Sequence, residues 1–498
     1  MDAAVAMTLL SLGSSGPAVV SLQNQLITLG FLAGDADGDF GPATDLAVCD
    51  AQRRLLLLPD GVVGPRSQAA LADALSRQPP SPTSVYRRLA RQAQTDAAQG
   101  RASLSKLPIL DRGIASSPLR AAIPSYADRL AASEPASRLV PYPDGAGSFA
   151  AYPSHGVVPP ILSGSAGRGG LDFLSEEVAQ ACVCVGSFAA DRPLRVRWYG
   201  RRALSDNVQF WSATKFIAPL LVVSQANRRS PGTPIASTRV EALDRSRAEA
   251  FEVLFRDMVS YAPRAGEADG GGSNRIAYLF KQLINSGEPD VQTWLRTLSG
   301  NGQALMLGWH GNWEPRSNPP DPSFFNPYRQ GAELQAADGT RLVGHRLMPR
   351  TRNLVCAYDL VRLITMLGWH HRLDQSSRLP AAQWRSLATL VEGLGHDTAR
   401  YIDVALERLG LLGSIADPVV ISKMGYGAET GDRSIDAFCY VAFASFRDIR
   451  FSPPRQRCLA LALRIPTAGD LTTALRHDAR MAAEVTEILR RVFAEELS

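Results

Sequence analysis

Lysine is nearly missing from this chain. Of its 53 basic residues only Lys106, Lys215, Lys281 and Lys423 are Lys, and the other 49 are Arg. Arg stays protonated in proteins, whereas a buried Lys can lose its proton and act as a base. Each surviving Lys therefore marks a place to look for amine chemistry. Cysteine is sparse too. Cys49, Cys182, Cys184, Cys356, Cys439 and Cys458 show no metal-ligand spacing, which argues against a zinc ribbon or cluster. Cys182 and Cys184 alternate with Val and read as small core side chains on one face of a strand. The seven His form no ligand set, so neither a metal nor another cofactor is expected. No apolar run is long enough to span a bilayer, and the N-terminus has neither the basic start nor the apolar stretch of a secretory signal. A formal charge of +5 on 498 residues falls far short of a nucleic-acid footprint. No Gly-x-Ser-x-Gly elbow surrounds a candidate Ser, which removes the Ser/His/Asp hydrolases.

What is present is ordinary globular composition, 45% hydrophobic and 20% charged, in a chain long enough for two or three domains. Residues 8–76 contain an internal repeat. Asp37-Gly38-Asp39-Phe40-Gly41-Pro42-Ala43-Thr44 recurs 23 residues on as Asp60-Gly61-Val62-Val63-Gly64-Pro65-Arg66-Ser67. In each copy Asp-Gly makes a turn and Gly-Pro opens a helix. Ahead of the first copy Val19, Val20, Leu22, Leu26, Ile27 and Leu29 give one apolar helix face.

With Gly16, Gln23, Gly30, Gln52 and Leu71 in place as well, this region resembles the small three-helix peptidoglycan-binding module. Ala51 departs from that family, which has an aromatic residue before the Gln. The resemblance implies peptidoglycan as a partner and a cell-envelope location, with no export signal visible in the sequence.

Residues 77–165 open on Gln78-Pro79-Pro80-Ser81-Pro82 and are rich in Pro, Ser, Ala and Gly, which predicts a linker with one or two helices, such as 84–99. Residues 166–498 read as one mixed domain. Strands are expected near 181–188, 193–199, 417–423, 436–445 and 456–464, with helices between and a last amphipathic helix from about 470 to 496. Strands at both ends of a helical middle predict an α+β fold: an antiparallel five-stranded sheet with flanking helices and an inserted helical subdomain, preceded by a small three-helix domain.

Within it, Trp211-Ser212-Ala213-Thr214-Lys215-Phe216 places a hydroxyl and an amine three residues apart at the start of an apolar helix. A neutral amine there can take the Ser proton. The same spacing at Ser103-Leu104-Ser105-Lys106 follows no strand and is cut short by Pro108, so it is a decoy. Further on stand Ser273-Asn274 at a helix entry, Trp313-Glu314-Pro315-Arg316-Ser317-Asn318, and Lys423-Met424-Gly425 after an apolar strand.

Together these motifs resemble the serine β-lactamase and penicillin-binding superfamily, nearest to the class A pattern. The resemblance implies Ser212 as nucleophile, Lys215 as its base, Asn274 on substrate, and Glu314 as activator of a hydrolytic water. Lys423 and Gly425 match the family's Lys-Thr-Gly strand. Two hydroxyls of the pattern are replaced, by Gly272 and Met424, with Ser273 a neighbouring substitute for the first. The expected function is a serine hydrolase acting through an acyl-enzyme on peptidoglycan stem peptides or β-lactams. The alternative is a non-catalytic wall-binding or scaffold protein on a degenerated β-lactamase fold. The oligomeric state stays open.

Overall fold

The computed structural model describes the chain apart from residues 1–8, 30, 33–35, 56, 78–81, 133–137, 146–148, 165–169, 264–270, 309, 311–330, 347–351, 430–431, 468–469 and 498. It divides into two units, Met1–Ser81 and Pro82–Ser498. Among the described residues no helix is long and apolar enough to cross a membrane.

The first unit has three helices, α1 (Pro17–Thr28), α2 (Pro42–Arg54) and α3 (Pro65–Arg77). Each starts at a Pro, whose fixed φ and missing N–H suit the first helical position. The repeat seen in the sequence is a repeated polar clasp. Gln23 accepts from Gly38 N (2.8 Å) and donates to Asp37 Oδ1 (2.7 Å), Asp39 O (3.0 Å) and Thr44 Oγ1 (3.1 Å). Gln52 does the same one repeat later: it accepts from Gly61 N (3.1 Å) and donates to Asp60 Oδ1 (2.8 Å), Val62 O (3.0 Å) and Ser67 Oγ (3.2 Å). Gly38 and Gly61 take φ of 82° and 69°, which only glycine adopts freely. Around the clasps Val19, Leu22, Leu26, Phe40, Val48, Val63 and Leu71 form the core. Ala51 lies in that core at 2% exposure, so the missing aromatic is an interior loss and not a surface one.

The second unit runs α4 (Pro82–Ala98), α5 (Tyr126–Ala131), β1 (Ala150–Ala151), β2 (Ile161–Ser163), β3 (Gln180–Ala189) and β4 (Arg192–Arg201). A 3₁₀ turn (Trp211–Thr214) leads into α6 (Ile217–Arg229), then β5 (Arg239–Ala242), β6 (Ala248–Ala250), α7 (Phe251–Ser260), α8 (Gly271–Gln282) and α9 (Val291–Ser299). Short strands β7 (Leu305–Met306), β8 (Ala332–Gln335), β9 (Arg341–Val343) and β10 (Asn353–Leu354) precede α10 (Ala357–Gly368), α11 (Trp384–Leu394) and α12 (Tyr401–Arg408). The chain closes with β11 (Ile415–Glu429), β12 (Asp432–Asp448), β13 (Arg455–Pro466) and α13 (Leu471–Phe493).

The main sheet has the order β1-β4-β3-β13-β12-β11. Its five long strands are the five expected ones, antiparallel throughout. Two short strands extend it to seven: β1 pairs antiparallel and β2 parallel with β4. Both faces are covered by helices. Cys182, Cys184, Cys439, Cys458, Ile421 and Phe443 point into one core with α6 to α11. Val183, Val185, Leu461, Tyr440 and Met424 point into the other with α4, α12 and α13. Cys182 and Cys184 are thus free core thiols, as their alternation with Val predicts.

The stretch read as linker behaves otherwise. From Pro82 onward it belongs to the second unit, and α4 packs on α13 through Val85, Leu89 and Ala93. Asp478 of α13 accepts from the backbone of Ile109 (2.9 Å) and Leu110 (3.1 Å), and β1 and β2 also come from this stretch. The helix expected at 84–99 is α4, and its apolar stripe at i, i+4, i+8 seats it on α13 instead of leaving it in a linker. The decoy Ser103 and Lys106 close a small exposed turn on each other's backbone.

Candidate functional site

The 3₁₀ turn Trp211–Thr214 places Ser212 against the sheet. Trp211 adopts φ of 48°, a strained setting for an aromatic residue that clusters at functional sites. A 3₁₀ turn eclipses positions i and i+3, and Lys215 N donates to Ser212 O at 3.1 Å, so Ser212 and Lys215 share one side. The facing element is β11, an edge strand, half of whose backbone N–H groups β12 leaves unpaired. At Gly425 a Cβ would stand 2.7 Å from Ala213 N and 3.0 Å from Ser212 N. Only glycine permits that approach, and it brings the backbone of the strand to the backbone N–H of Ser212.

Lys215 is 1% exposed. Its Nζ donates to Ser273 Oγ at 2.7 Å, and Ser273 donates onward to Met258 O at 2.6 Å. Burial, and after it the positive charges of Lys423 and Lys281, hold the Lys215 amine well below the ordinary lysine range. Ser212 is half-buried and its hydroxyl makes no hydrogen bond among the described residues. The substitute Ser273 is therefore on the amine, and the next residue, Asn274, is half-buried in the first turn of α8. Glu314 lies outside the described residues.

Lys423 is fully buried. Its Nζ lies 3.4 Å from Asp397 Oδ1, and Ser422 donates to Asp397 Oδ2 at 2.9 Å. Both Lys423 and Lys215 face the ring of Tyr261, at 4.0 and 4.9 Å from its centroid. Tyr261 itself takes φ of 54° at the end of α7.

Three residues at this site went unnoticed in the sequence, and a fourth, Lys281, was marked only by the scarcity of lysine. Tyr261 and Asp397 carry no motif. His310 is buried, with Nε2 3.0 Å from Thr214 Oγ1, and burial first, then the nearby lysines, push its pKa well down, so the ring is neutral. Lys281 is buried in α8 and donates to Gly308 O (2.6 Å) and Asn353 Oδ1 (2.7 Å). Lysine scarcity alone pointed to it. Three of the four lysines thus converge on one place, and the fourth is the decoy. Among the described residues no group of His, Cys, Asp and Glu is arranged to hold a metal.

Comparison with known proteins bears on the two units separately. Residues 15–71 match the family described as "Putative peptidoglycan binding domain". A 64-residue stretch is 45% identical to an uncharacterized protein in the bpoA1 3' region of Kitasatospora aureofaciens; it covers 13% of this chain and 54% of that protein, so the chain spans about half the length of the relative. Among solved structures, the SleB N-terminal domain is 34% identical over 14% of this chain and 92% of its own, with a TM-score of 0.13. A class A β-lactamase from Bacteroides cellulosilyticus is 14% identical over 66% of this chain and 95% of its own, with a TM-score of 0.36. A β-lactamase from Desulfarculus baarsii is 18% identical over 63% and 92%, with a TM-score of 0.32. Residues 15–71 thus carry the peptidoglycan-binding match, and the second unit, an α+β body, carries a low-identity likeness to solved β-lactamases.

Proposed function

We propose that this protein is a serine hydrolase of the cell envelope that works through an acyl-enzyme on Ser212, with peptidoglycan stem peptides as its natural acyl donors and β-lactams as mimics. The observation that carries the reading is the buried Lys215 amine, held below its usual range beside Ser212 and hydrogen-bonded to Ser273. A neutral amine at that place accepts the Ser212 proton as Oγ bonds to the acyl carbon. The backbone N–H of Ser212 and one from the strand after Gly425 suit the developing oxyanion. The bond to the leaving group then breaks, and the proton passes from Lys215 to it. Water cleaves the ester in the second half, releasing the acid and restoring the Ser212 hydroxyl, with Glu314 as the base that the sequence pattern suggests. The match of residues 15–71 supports wall attachment by the first unit.

A fluorophosphonate probe and a fluorescent penicillin test this on the full chain. Labelling of the wild type and its loss in Ser212→Ala is expected, and equal labelling of both removes Ser212 as nucleophile. Co-sedimentation with purified sacculi, lost when residues 1–81 are deleted, tests the wall attachment. The rival reading, a wall-bound scaffold without catalysis, draws on the unbonded Ser212 hydroxyl and on Met424. It predicts sedimentation with no label at all.

A further inference from the structure

A cavity of about 290 Å³ opens at the start of β11, beside α5 and the end of α10. Its floor is a row of three small side chains on adjacent strands: Val419 of β11 faces Ser445 of β12, which faces Cys458 of β13. Phe188, Trp369 and Phe443 wall it. The Trp369 and Phe443 rings meet edge to face at 5.4 Å, and the Trp369 indole N–H donates to the Cys458 sulfur at 3.0 Å, so these walls are held in place. The backbone is irregular at the same spot. Pairing of β11 with β12 slips between Ala416 and Val419, a bulge that bends the strand. Asp417 within it takes φ of 47°, a costly setting outside glycine that gathers at functional sites.

The lining also carries charge. Arg372 is half-buried over the Phe188 ring, 4.0 Å from its centroid. Its guanidinium donates to Ala132 O at 2.8 Å, the one hydrogen bond it makes among the described residues. Arg129 and Arg447 line the cavity too and share the Asp417 carboxylate, at 3.9 and 3.1 Å. A guanidinium with donors to spare takes a carboxylate in a two-pronged pair. At a half-buried position that pair keeps part of its hydration, which limits the desolvation cost. An apolar cavity of about 150 Å³ holds benzene, so this one has room for roughly two fused rings. We propose that the cavity binds a compact amphipathic carboxylate, with its apolar body on Val419, Ser445 and Cys458 and its anionic head on Arg372. Nothing in this depends on chemistry at Ser212. Asp128, the second carboxylate of the lining, opposes such a ligand and limits its affinity.

Equilibrium dialysis of the full chain against 2-naphthoate and its uncharged amide, 2-naphthamide, tests the site. The acid should bind saturably, one per chain, and at least tenfold more tightly than the amide. Arg372→Gln should remove most of that preference and leave the amide where it was. Val419→Phe fills the floor and should weaken both ligands at least tenfold, with a urea midpoint to show that the variant folds. Should it not fold, Ser445→Leu fills the same floor from the next strand. Failure of both ligands to bind the wild type overturns the site. Equal binding of acid and amide, or a preference that survives Arg372→Gln, overturns the carboxylate on Arg372. Undiminished binding by a folded floor variant puts the ligand elsewhere and overturns the site as well.

Discussion

The amine of Lys215 and the hydroxyl of Ser273 meet at 2.7 Å with both groups buried. No carboxylate stands in that contact, and two further ammonium groups raise the cost of a third. The amine is therefore neutral at a pH where an exposed lysine is charged. Labelling of Ser212 should be present above the folded pKa of Lys215 and lost as pH falls through it, with a midpoint well below 10.5. Lys423→Met removes one neighbouring charge and should move that midpoint upward. A rate independent of pH, or a midpoint that Lys423→Met leaves in place, excludes Lys215 as the base.

Lys215→Arg keeps roughly the length of the side chain but puts a permanent charge where the neutral amine stands and cannot lose its proton. General-base help of this kind is worth roughly 10²–10⁴-fold, so the labelling rate should fall by about that factor. Ser273→Ala leaves the base in place but strips the acceptor that orients it. The expected cost is smaller, on the order of tenfold, with a stability loss of about 1–2 kcal/mol for the orphaned donor. Stopped labelling assays on the two variants order these effects, and a Ser273→Ala loss as large as that of Lys215→Arg reverses the assignment of roles.

How much of this was legible beforehand depends on distance along the chain. The five long strands, the 212–215 pair and the Lys423-to-Gly425 stretch are local patterns of two, three or four residues, and periodicity or spacing exposes them. Ser273 could be placed near the site because it sits beside a recognisable Asn. Asp397 could not, since it meets Lys423 only after α11 and α12 turn back towards β11. Tyr261 and His310 likewise acquire meaning from contacts 163 and 96 residues away. The linker failed for another reason: the apolar stripe of 84–99 shows a helix, but not that its partner is α13 at the other end of the unit.

Lys281 ties Gly308 to Asn353, and Gly308 N returns a 2.9 Å bond to the same Asn353 oxygen. Lys281→Met fills the space but leaves the Gly308 carbonyl buried without its donor, a cost of about 1–3 kcal/mol. Hydrogen exchange at Gly308 and Asn353 should quicken accordingly while exchange in β13 stays unchanged. Unaltered protection at both amides rules out the tether.

In the first unit, the Gln23 and Gln52 clasps carry equivalent loads. Either Gln→Ala change strands a backbone N–H and several acceptors, with an expected loss of about 2–3 kcal/mol. Because the two units form separate compact bodies, the lower-stability transition of the full chain should shift and that of the second unit should not. Calorimetry of the two variants decides this, and a variant that shifts neither transition shows the clasp to be dispensable.

Asp478 is buried on α13 and accepts from Ile109 N, Leu110 N and the Tyr401 hydroxyl at 2.7 Å. Burial outweighs these bonds and raises its pKa to about 7 from 3.8. Between those values the folded state holds a proton that the unfolded state has released. Stability from this group is complete below the unfolded value and drains away as pH rises through about 7. Asp111, raised mainly by burial to about 6, adds to the same slope. Lys215 acts in the opposite sense, since its lowered pKa makes the folded state gain stability with rising pH. The comparison that isolates Asp478 is therefore between proteins and not between pH values. The urea midpoint at pH 5 minus that at pH 8 should be more positive in the wild type than in Asp478→Asn, which keeps an acceptor oxygen but has no proton to release. Equal differences in the two proteins mean that Asp478 is ionised throughout, and that its three donors, not its burial, govern its charge.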